Sequence, residues 1–339
     1  MENKFYREAL KRGKKAKRHL SVGNKSPFLP ALEDILPNEK MNSGNMLGIV
    51  EIPADFIVGT RTAGRTNSFA SNFMPIMDES TEFATKWKDL CKAHLNEGIR
   101  EPVKVYEYMN RFYVEEGNKR VSVLKFFGAA SVPAQVIRIL PERSAEKNVK
   151  IYYEFLAFYH CTKINYIEFS KLGYYLKLQK LVGKKPDEKW TEDECSVFRA
   201  NYYYFKHLYE NMGGANLHCT VGDAFFVYID IFGYTSFKNK SALQIKSEIT
   251  KIWKEFQLIA EETAIDLKLT PEEPHKFNFI EKMFSDEIDV LKVAFVHDKT
   301  PEESGWTYSH ELGRMHVEKA FENRIITKVY YMQLKIPIH

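Results

Sequence analysis

The sequence predicts an α+β fold in three successive parts: an α/β domain, an all-helical domain and a partial Rossmann-like β-α-β unit. Strand-like and helical patterns alternate in residues 46–143, whereas residues 144–284 show only helical spacing and carry many aromatic side chains. Residues 285–339 contain a continuous apolar run, a helical pattern and a second strand pattern, as in parallel sheets. A basic N-terminal extension, residues 1–45, precedes the three parts.

Length, charge and hydropathy limit the class of protein. The chain has 339 residues, enough for two or three cores, because single domains usually have about 100 to 200 residues. Its formal net charge of +4 is small for that length, so nucleic-acid binding would have to depend on local basic clusters. The N-terminus lacks the apolar core of a secretory signal, and no apolar run is long enough to span a bilayer. We therefore expect a cytoplasmic protein without a membrane segment.

The four cysteines are scattered and form no Cys-x-x-Cys pair. The neighbours His160-Cys161 and His218-Cys219 contain metal-ligating residue types, but adjacent residues on a helix point in different directions. We therefore expect packed thiols and no metal site.

Residues 4–20 have the pattern of a polar helix with a dense run of positive charge. Two interpretations remain open: such a run attracts nucleic-acid phosphates by counterion release, or it forms a solvated, partly frayed tail. The candidate nucleic-acid contacts are Lys11, Arg12, Lys14, Lys15, Lys17 and Arg18.

The α/β part is predicted to begin with a strand at residues 46–51. A loop at residues 59–67 follows; it is rich in glycine and hydroxyl groups and carries Arg61 and Arg65. This loop is either a surface connection or part of a binding site.

A helix is then predicted for residues 79–97, ended near Gly98. Its apolar side chains recur at helical spacing, which indicates a stripe that faces a core. The stripe consists of Phe83, Trp87, Leu90 and Leu95.

A hairpin and a glycine turn form the centre of the predicted α/β domain. Strand patterns at residues 103–108 and 112–114 meet at a turn predicted at Asn110-Arg111, and a helix over residues 121–127 stops at Gly128. A glycine that enters a helix N-terminus leaves backbone N–H groups unpaired and pointing one way, which suits a phosphate. The alternative is an ordinary strand-turn-helix with two solvated cations. The candidate phosphate site consists of Gly117, Asn118, Lys119 and Arg120.

The turn and its neighbours form a pattern that consists of Glu116, Gly117, Arg120, Leu124, Gly128 and a returning strand at residues 132–137. This pattern resembles the core of the ParB/sulfiredoxin superfamily, over about residues 46–140. The resemblance implies a Gly-x-x-Arg loop that holds nucleotide phosphates, with Arg61 or Arg65 approaching the same anion. Asn118 stands where sulfiredoxins carry a catalytic cysteine and ParB proteins carry an acidic residue. The resemblance therefore implies the fold more firmly than either activity.

The helical part is predicted to contain a helix that opens with residues 151–156, followed by helices at residues 172–181, 191–209, 223–232 and 241–264. Thr191 followed by Glu194 is a capping-box pattern at the start of one of them. The corner at Gly233-Tyr234 also permits a helix-turn-helix, a DNA-binding motif. Aromatic side chains interleaved with lysines are typical either of a packed core or of single-stranded nucleic-acid binding. The lysines concerned are Lys163, Lys177, Lys180 and Lys206.

The last part is predicted to be a strand at residues 290–296, a helix at 307–322 and a strand at 326–334. Residues 292–296 and 305–314 closely resemble the opening of basic-membrane-protein (BMP) family domains, the nucleoside-binding proteins of ABC importers, over about residues 288–335. The resemblance implies nucleoside contacts at Asp298, Trp306 and His310, because a ring beside hydrogen-bonding groups suits a nucleobase. The two full lobes of that family are missing, so we expect either a gene that stops early or a fragment of a longer protein.

Three functions follow from these patterns. The first is an intracellular regulatory protein, non-catalytic or weakly catalytic, that binds a phosphate-bearing ligand, either a nucleotide or a nucleic acid. The second is phosphoryl transfer from a nucleotide with magnesium, in which Glu116 acts as base or metal ligand. The third is a nucleoside-binding transport component, against which the missing secretory signal argues. Enzymatic activity is thus left undecided, with binding preferred.

Overall fold

The structure is a computed structural model that describes residues 2–21, 26–41, 43–267, 291–297, 300, 307, 310–311, 313–315, 317–318 and 325–331. Helices and a mixed five-stranded sheet are both present, so the predicted α+β class is confirmed. The chain divides into two compact units, Met1–Tyr152 and Tyr153–His339, and the division lies within one helix. Each unit is described by itself.

The first unit contains the sheet and the helices that cover it. Its strands are β1 (Asn45–Pro53), β2 (Ile57–Thr60), β3 (Val103–Tyr108), β4 (Arg111–Glu116) and β5 (Ser131–Ile139). Its helices are α1 (Glu2–Ser21), α2 (Asn38–Met41), α3 (Glu82–Glu97), α4 (Asn118–Phe126) and the start of α5 (Lys147–Thr162). Short 3-10 turns occur at Leu32–Asp34, Ala54–Phe56 and Ala63–Ser68.

The strands lie in the order β1-β5-β3-β4-β2. The β1/β5 and β3/β4 pairs are antiparallel, whereas β3/β5 and β2/β4 are parallel. One face of the sheet, with Val105 and Val114, packs against Val121 and Leu124 of α4. The other face presents Tyr106, Tyr113 and Ile139 to Leu32, Leu36 and Met41. The sheet is therefore covered on both faces, and α4 lies on the face opposite residues 32–41.

The hairpin turn differs by one residue from the prediction at Asn110-Arg111. Its two central residues are Met109 and Asn110, with φ of 52° and 59°, and Tyr108 pairs with Arg111. Positive φ at both central positions is what a two-residue type I′ turn requires. Asparagine tolerates this conformation but methionine rarely adopts it, so composition alone misplaced the turn.

Helix α1 is packed, and the solvated-tail alternative for residues 4–20 is wrong. Tyr6, Ala9 and Leu10 are buried in a cluster with Trp87, and the Tyr6 ring lies 5.4 Å from the Trp87 ring. A Cβ atom on Gly13 would come within 2.3 Å of the Pro75 carbonyl oxygen, so this helix approaches the backbone closely. The apolar positions recur at helical spacing, but they are few among many charged residues, so the sequence pattern did not indicate a buried side of this helix.

Helix α3 begins later than predicted, at Glu82, where the Thr81 side chain accepts a hydrogen bond from the Ala84 N–H. Trp87 is fully buried and donates its indole N–H to Ser122 Oγ at 2.9 Å. The predicted stripe was wrong at Leu95, which is 46% exposed, and it missed Cys91, which is buried.

A buried ion pair lies at the hairpin end of the sheet. Glu107 and Arg138 are direct neighbours on β3 and β5, and the Arg138 guanidinium contacts the Glu107 carboxylate. Glu107 is 0% exposed and also accepts hydrogen bonds from the Tyr152 hydroxyl at 2.9 Å and the Asn110 N–H at 2.7 Å. This carboxylate therefore joins the hairpin, the neighbouring strand and the start of α5 through one buried charge.

The second unit is mostly helical. Its helices are the rest of α5, α6 (Tyr174–Leu181), α7 (Glu192–Asn211), α8 (Val221–Phe232), α9 (Tyr234–Phe237), α10 (Ala242–Lys251) and α11 (Trp253–Leu267), with a 3-10 turn at Gly214–Asn216. The capping box of Thr191 and Glu194 is present at the start of α7 and confirms the prediction. Phe205, Tyr209, Phe225 and Tyr228 are fully buried and touch one another, so the aromatic residues form a core as one prediction stated.

Two predictions for the helical unit were wrong. The single helix predicted for residues 241–264 is two helices, α10 and α11, separated at Ile252. Ile249, Ile252 and Phe256 are all buried, and no glycine or proline lies at the break. The helix that follows the Gly233 corner has only four residues, too short to act as a recognition helix in a groove.

The chain from residue 291 contains a parallel pair of strands, β6 (Leu291–His297) and β7 (Ile325–Tyr331), with helical residues described between them. Arg314, in that helical part, donates to Glu311 at 2.9 Å and to Thr327 of β7 at 2.6 Å. The Arg314 hydrogen bond lowers the pKa of the Glu311 carboxyl. The strand-helix-strand order agrees with the prediction, but Val296 and Ile326 are 52% and 54% exposed.

Among the residues that the structure describes, we find no helix with the length and apolar character needed to cross a membrane.

Candidate functional site

The strand-to-helix turn at Gly117 begins a helix that has no side-chain cap. β4 ends at Glu116, Gly117 has a left-handed φ of 103°, and α4 starts at Asn118 without a side-chain cap. The first N–H that bonds within the helix is that of Val121, which donates to the Gly117 carbonyl oxygen at 2.9 Å. The N–H groups of residues 118–120 precede this bond and point out of the helix end, where the helix dipole is positive.

Glycine is required at this turn for two reasons. A φ of 103° is a conformation that L side chains rarely adopt. A Cβ atom at position 117 would also lie 2.6 Å from Val103 Cγ1, and Val103 is fully buried. The helix end is therefore pressed against β3, which fixes the direction of the exposed N–H groups.

A pocket of about 240 Å³ opens at this helix end. Helix α3 supplies Phe83 and Leu90, and the 3-10 turn before it supplies Ser68. The sequence predicted the part of this pocket that Gly117 and its neighbours form. It assigned Phe83 and Leu90 only to a core stripe, because these residues are distant from Gly117 in sequence although they are close to it in the structure. The lining residues are Ser68, Phe69, Phe83, Leu90, Glu101, Gly117, Asn118, Lys119 and Arg120.

Two side chains of the turn bring polar groups to the pocket wall. Lys119 Nζ lies 4.9 Å from the centre of the Phe83 ring, a cation-π distance. Asn118 is only 6% exposed, and its Oδ1 is buried without a hydrogen-bond partner. Buried amide groups are normally satisfied, so Asn118 has an unmet hydrogen-bonding capacity beside the pocket.

Arg120 also lines the pocket, but protein groups already occupy its guanidinium. Nη1 donates to the carbonyl oxygens of Glu101 and Pro102 at 3.1 and 3.0 Å, and it lies 3.0 Å from the Glu101 carboxylate. Nη2 lies 3.5 Å from Glu116. With its side chain 11% exposed, Arg120 ties the segment before β3 to the start of α4. It neutralises Glu101, the one carboxylate among the lining residues, which would otherwise repel an anion.

Glu116 is not among the residues that line the pocket. Its carboxylate is exposed and lies 3.4 Å from Lys104 Nζ as well as 3.5 Å from Arg120. Lys119, which lines the pocket, also acts on the Glu82 carboxylate. The pKa of the Glu82 carboxyl is lowered mainly by its hydrogen bond with Lys86, and Lys119 contributes in the same direction.

The structure does not bring Arg61 together with Arg120. The Arg61 guanidinium contacts the Glu115 carboxylate and lies 5.1 Å from the Tyr106 ring, on the sheet face opposite α4. A residue that follows a strand faces one side or the other according to register, which the sequence did not reveal. Arg65 lies in the 3-10 turn Ala63–Ser68, and its side chain is outside the described part of the structure.

No protein-family model and no curated protein matches this chain. The ParB/sulfiredoxin and BMP resemblances therefore remain predictions that rest on the residues quoted for them. The turn, the pocket and the charges around them carry the functional argument.

The basic run on α1 divides into inward and outward residues. Arg12 lies 4.8 Å from the Phe126 ring, Lys14 lies 3.5 Å from Asp78, and Lys17 lies 4.9 Å from the Phe28 ring. Lys11, Lys15 and Arg18 are exposed on the side away from the buried positions Tyr6, Ala9 and Leu10. In the described chain, no ion pair to a carboxylate is found for these three side chains or for Lys4.

The predicted nucleoside contacts are only partly within the structure. Asp298 and Trp306 lie outside the described residues. His310 is exposed, and its ring centre lies 6.2 Å from that of the buried His297.

The cysteine neighbourhoods are those of packed thiols. Cys161 Sγ lies 3.7 Å from the Pro186 carbonyl oxygen, and burial is the largest cause that raises the pKa of Cys219 to about 12. Across the described ranges, no group of three or more His, Cys, Asp or Glu side chains is arranged to hold a metal ion.

Proposed function

We propose that the N-terminal end of α4 binds the phosphate of a small ligand, a nucleotide, and that the protein acts by binding rather than by catalysis. One observation carries this proposal: a helix N-terminus without a side-chain cap opens into a pocket that Lys119 also lines. Exposed backbone N–H groups and the helix dipole favour an anion at such a position.

The volume of the pocket suits the phosphate end of a nucleotide rather than a whole nucleotide. Sites that enclose a drug-sized ligand usually have about 300 to 1,000 Å³. The volume here, about 240 Å³, suits a phosphate and the group next to it, with the remainder outside. Phe83 and Phe69 offer apolar surface to the part nearest the phosphate, while Asn118 Oδ1 can accept a hydrogen bond from a ligand hydroxyl.

Phosphoryl transfer is the weaker proposal for this site. A base must reach the hydroxyl that accepts the phosphoryl group, within hydrogen-bond distance or through one water. Glu116 lies outside the pocket lining, and Lys104 and Arg120 surround its carboxylate. If the protein consumes nucleotide, and if Glu116→Gln stops that consumption but retains nucleotide affinity, phosphoryl transfer would become the preferred proposal.

Lys119→Gln is expected to weaken nucleotide binding about 10-fold to 100-fold, because it removes a charge-assisted contact worth about 1.5 to 3 kcal/mol. Isothermal titration calorimetry with ATP, CTP, GTP and inorganic pyrophosphate measures the change. Lys119 is preferred to Arg120 for this test, since Arg120→Ala would also break the contacts to Glu101 and Pro102.

Lys86→Gln is the matched control, because Lys86 is exposed on α3, pairs with Glu82 and does not line the pocket. Its affinity should equal that of the unchanged protein. Absence of binding by all four probes, or equal weakening in both variants, would contradict a phosphate site at Gly117.

We also propose, as a second function, that the outer side of α1 binds nucleic acid. Lys4, Lys11, Lys15 and Arg18 recur at helical spacing and are exposed. At a rise of about 1.5 Å per residue, they extend over about 21 Å of helix. Such a row can contact successive phosphates without recognising bases, so binding would depend on salt and not on sequence.

Combined replacement of Lys11, Lys15 and Arg18 by Gln should reduce the salt dependence of DNA binding. Each lost phosphate contact lowers the slope of log affinity against log salt by about 0.9, so a decrease of about 2 to 3 is expected. Fluorescence anisotropy with a short duplex at several salt concentrations gives the slope. Deletion of the helix is unsuitable, because Tyr6, Ala9 and Leu10 belong to the core.

The control removes three positive charges elsewhere in the same unit through Lys86→Gln, Lys92→Gln and Lys150→Gln, all at exposed positions. Thermal stability should be similar in the two triple variants. If both lower the slope equally, α1 has no special role in DNA binding.

A further inference from the structure

A second pocket lies within the helical unit, at the start of α7, and the function proposed above does not use it. Its volume is about 470 Å³, within the range of about 300 to 1,000 Å³ that is usual for small-molecule sites. Val182, after α6, and Val197, on α7, provide apolar surface. Trp190 and Tyr234 provide two aromatic surfaces.

The two aromatic rings are held in place by the core behind them. The Phe198 ring lies 5.3 Å from Trp190 and 5.9 Å from Tyr234. The Trp190 backbone N–H donates to the Cys161 carbonyl oxygen at 3.1 Å, and the Tyr234 hydroxyl accepts from Asn201 at 3.3 Å. The rings are thus fixed before any ligand arrives, which reduces the entropic cost of binding.

The charges at the rim of this pocket compensate one another. Lys184 Nζ lies 2.7 Å from both Glu188 and Glu194, and these carboxylates raise the pKa of the Lys184 amine. Glu194 also accepts from the Thr191 N–H at 2.9 Å in the capping box, which fixes its position. Glu188 does not line the pocket, and the charged lining residues are Lys184, Lys238, Asp193 and Glu194, two of each sign. The lining residues therefore carry no formal net charge.

One polar group of the pocket lacks a partner. The indole Nε1 of Trp190 is buried and has no hydrogen-bond acceptor among the described residues, although the neighbouring rings Phe158 and Phe198 fix the indole on two sides. A buried donor that is left unsatisfied is costly, and an acceptor placed beside it recovers that cost. Trp190 thereby combines a surface for ring contact with one unmet donor.

We propose that this pocket binds an uncharged, planar aromatic molecule that carries a hydrogen-bond acceptor for the Trp190 indole. Ring contacts with Trp190 and Tyr234 supply apolar burial, and the acceptor sets the orientation of the ligand. A charged ring of the same size is disfavoured, because the rim has no uncompensated charge to replace the water that the ligand loses.

The test uses coumarin, an uncharged planar ring system with a carbonyl acceptor, and coumarin-3-carboxylate as its charged counterpart. Saturation-transfer NMR on the full chain detects binding, and calorimetry gives the affinity. Trp190→Phe keeps an aromatic ring but removes the donor, so coumarin should bind about fivefold more weakly, as expected for one neutral hydrogen bond. Val197→Trp should obstruct part of the pocket and weaken binding.

Trp253→Phe serves as the matched control, because Trp253 belongs to the same unit but does not line the pocket. Coumarin affinity should be unchanged there, and coumarin-3-carboxylate should bind more weakly than coumarin to the unchanged protein. Far-UV circular dichroism checks that the Val197→Trp variant retains its helices. If that variant does not fold, Trp190→Phe alone tests the site. The proposal is overturned if coumarin does not bind, if Trp190→Phe binds as tightly as Trp253→Phe, or if the carboxylate binds equally well.

Discussion

Arg138→Met is expected to lower the free energy of unfolding of the sheet-containing unit by about 3 to 5 kcal/mol, the usual cost of removing one partner from a buried ion pair. The Glu107 carboxylate is 0% exposed, so without the Arg138 guanidinium its charge would remain in the interior beside the Tyr152 hydroxyl and the Asn110 N–H alone. Urea denaturation combined with hydrogen exchange of the β3 and β5 amides measures the loss.

Two further variants separate the ion pair from a general effect of losing an arginine. Arg7→Met removes an exposed pair with Glu79, whose contribution should be about 0 to 1 kcal/mol. The double variant Glu107→Gln with Arg138→Met leaves no buried charge and should recover part of the loss. A loss in Arg138→Met no larger than that in Arg7→Met would show that the pair does not hold the hairpin end of the sheet.

Gly117→Ala is expected to destabilise the same unit by about 2 to 4 kcal/mol. A non-glycine residue at a strained positive φ costs about 1 to 3 kcal/mol, and overpacking of a core adds a similar amount. Here φ is 103°, and the added methyl would lie 2.6 Å from Val103 Cγ1, whose β-branched side chain has little freedom to move. Thermal denaturation and calorimetry with the nucleotide probes should show lower stability and lost binding together.

Gly128→Ala is the comparison for this variant. Gly128 follows the same helix, has a φ of 75°, and has open space where a Cβ would be placed. Its replacement should cost only the backbone term, about 1 kcal/mol, and leave the turn at Gly117 intact. Equal losses in the two alanine variants would mean that contact with Val103 does not position the helix end.

Local signals predicted much of the candidate site. The glycine before a helix, the strand that precedes it and the stop at Gly128 depend on neighbours in sequence, and all three are present. The capping box of Thr191 was predictable for the same reason, since its two hydrogen bonds join residues three positions apart.

Features that depend on distant contacts could not be predicted. The opposite wall of the pocket comes from Phe83 and Leu90, which reach Gly117 only after α3 and α4 have packed. The side of the sheet that Arg61 faces depends on strand register. Arg120 donates to backbone oxygens, and the pattern of side chains in a sequence does not predict such contacts. The break at Ile252 likewise has no proline or glycine to mark it.

The packing of α1 has a consequence for how the chain folds during synthesis. The Tyr6 hydroxyl donates to the Met77 carbonyl oxygen at 2.6 Å, across 71 residues of sequence. At about 5 to 20 residues per second of translation, the helix leaves the ribosome several seconds before its partners. During that interval, its apolar side has nothing of the finished core to cover it. A nascent chain of this protein therefore exposes the apolar residues of this segment until α3 has emerged.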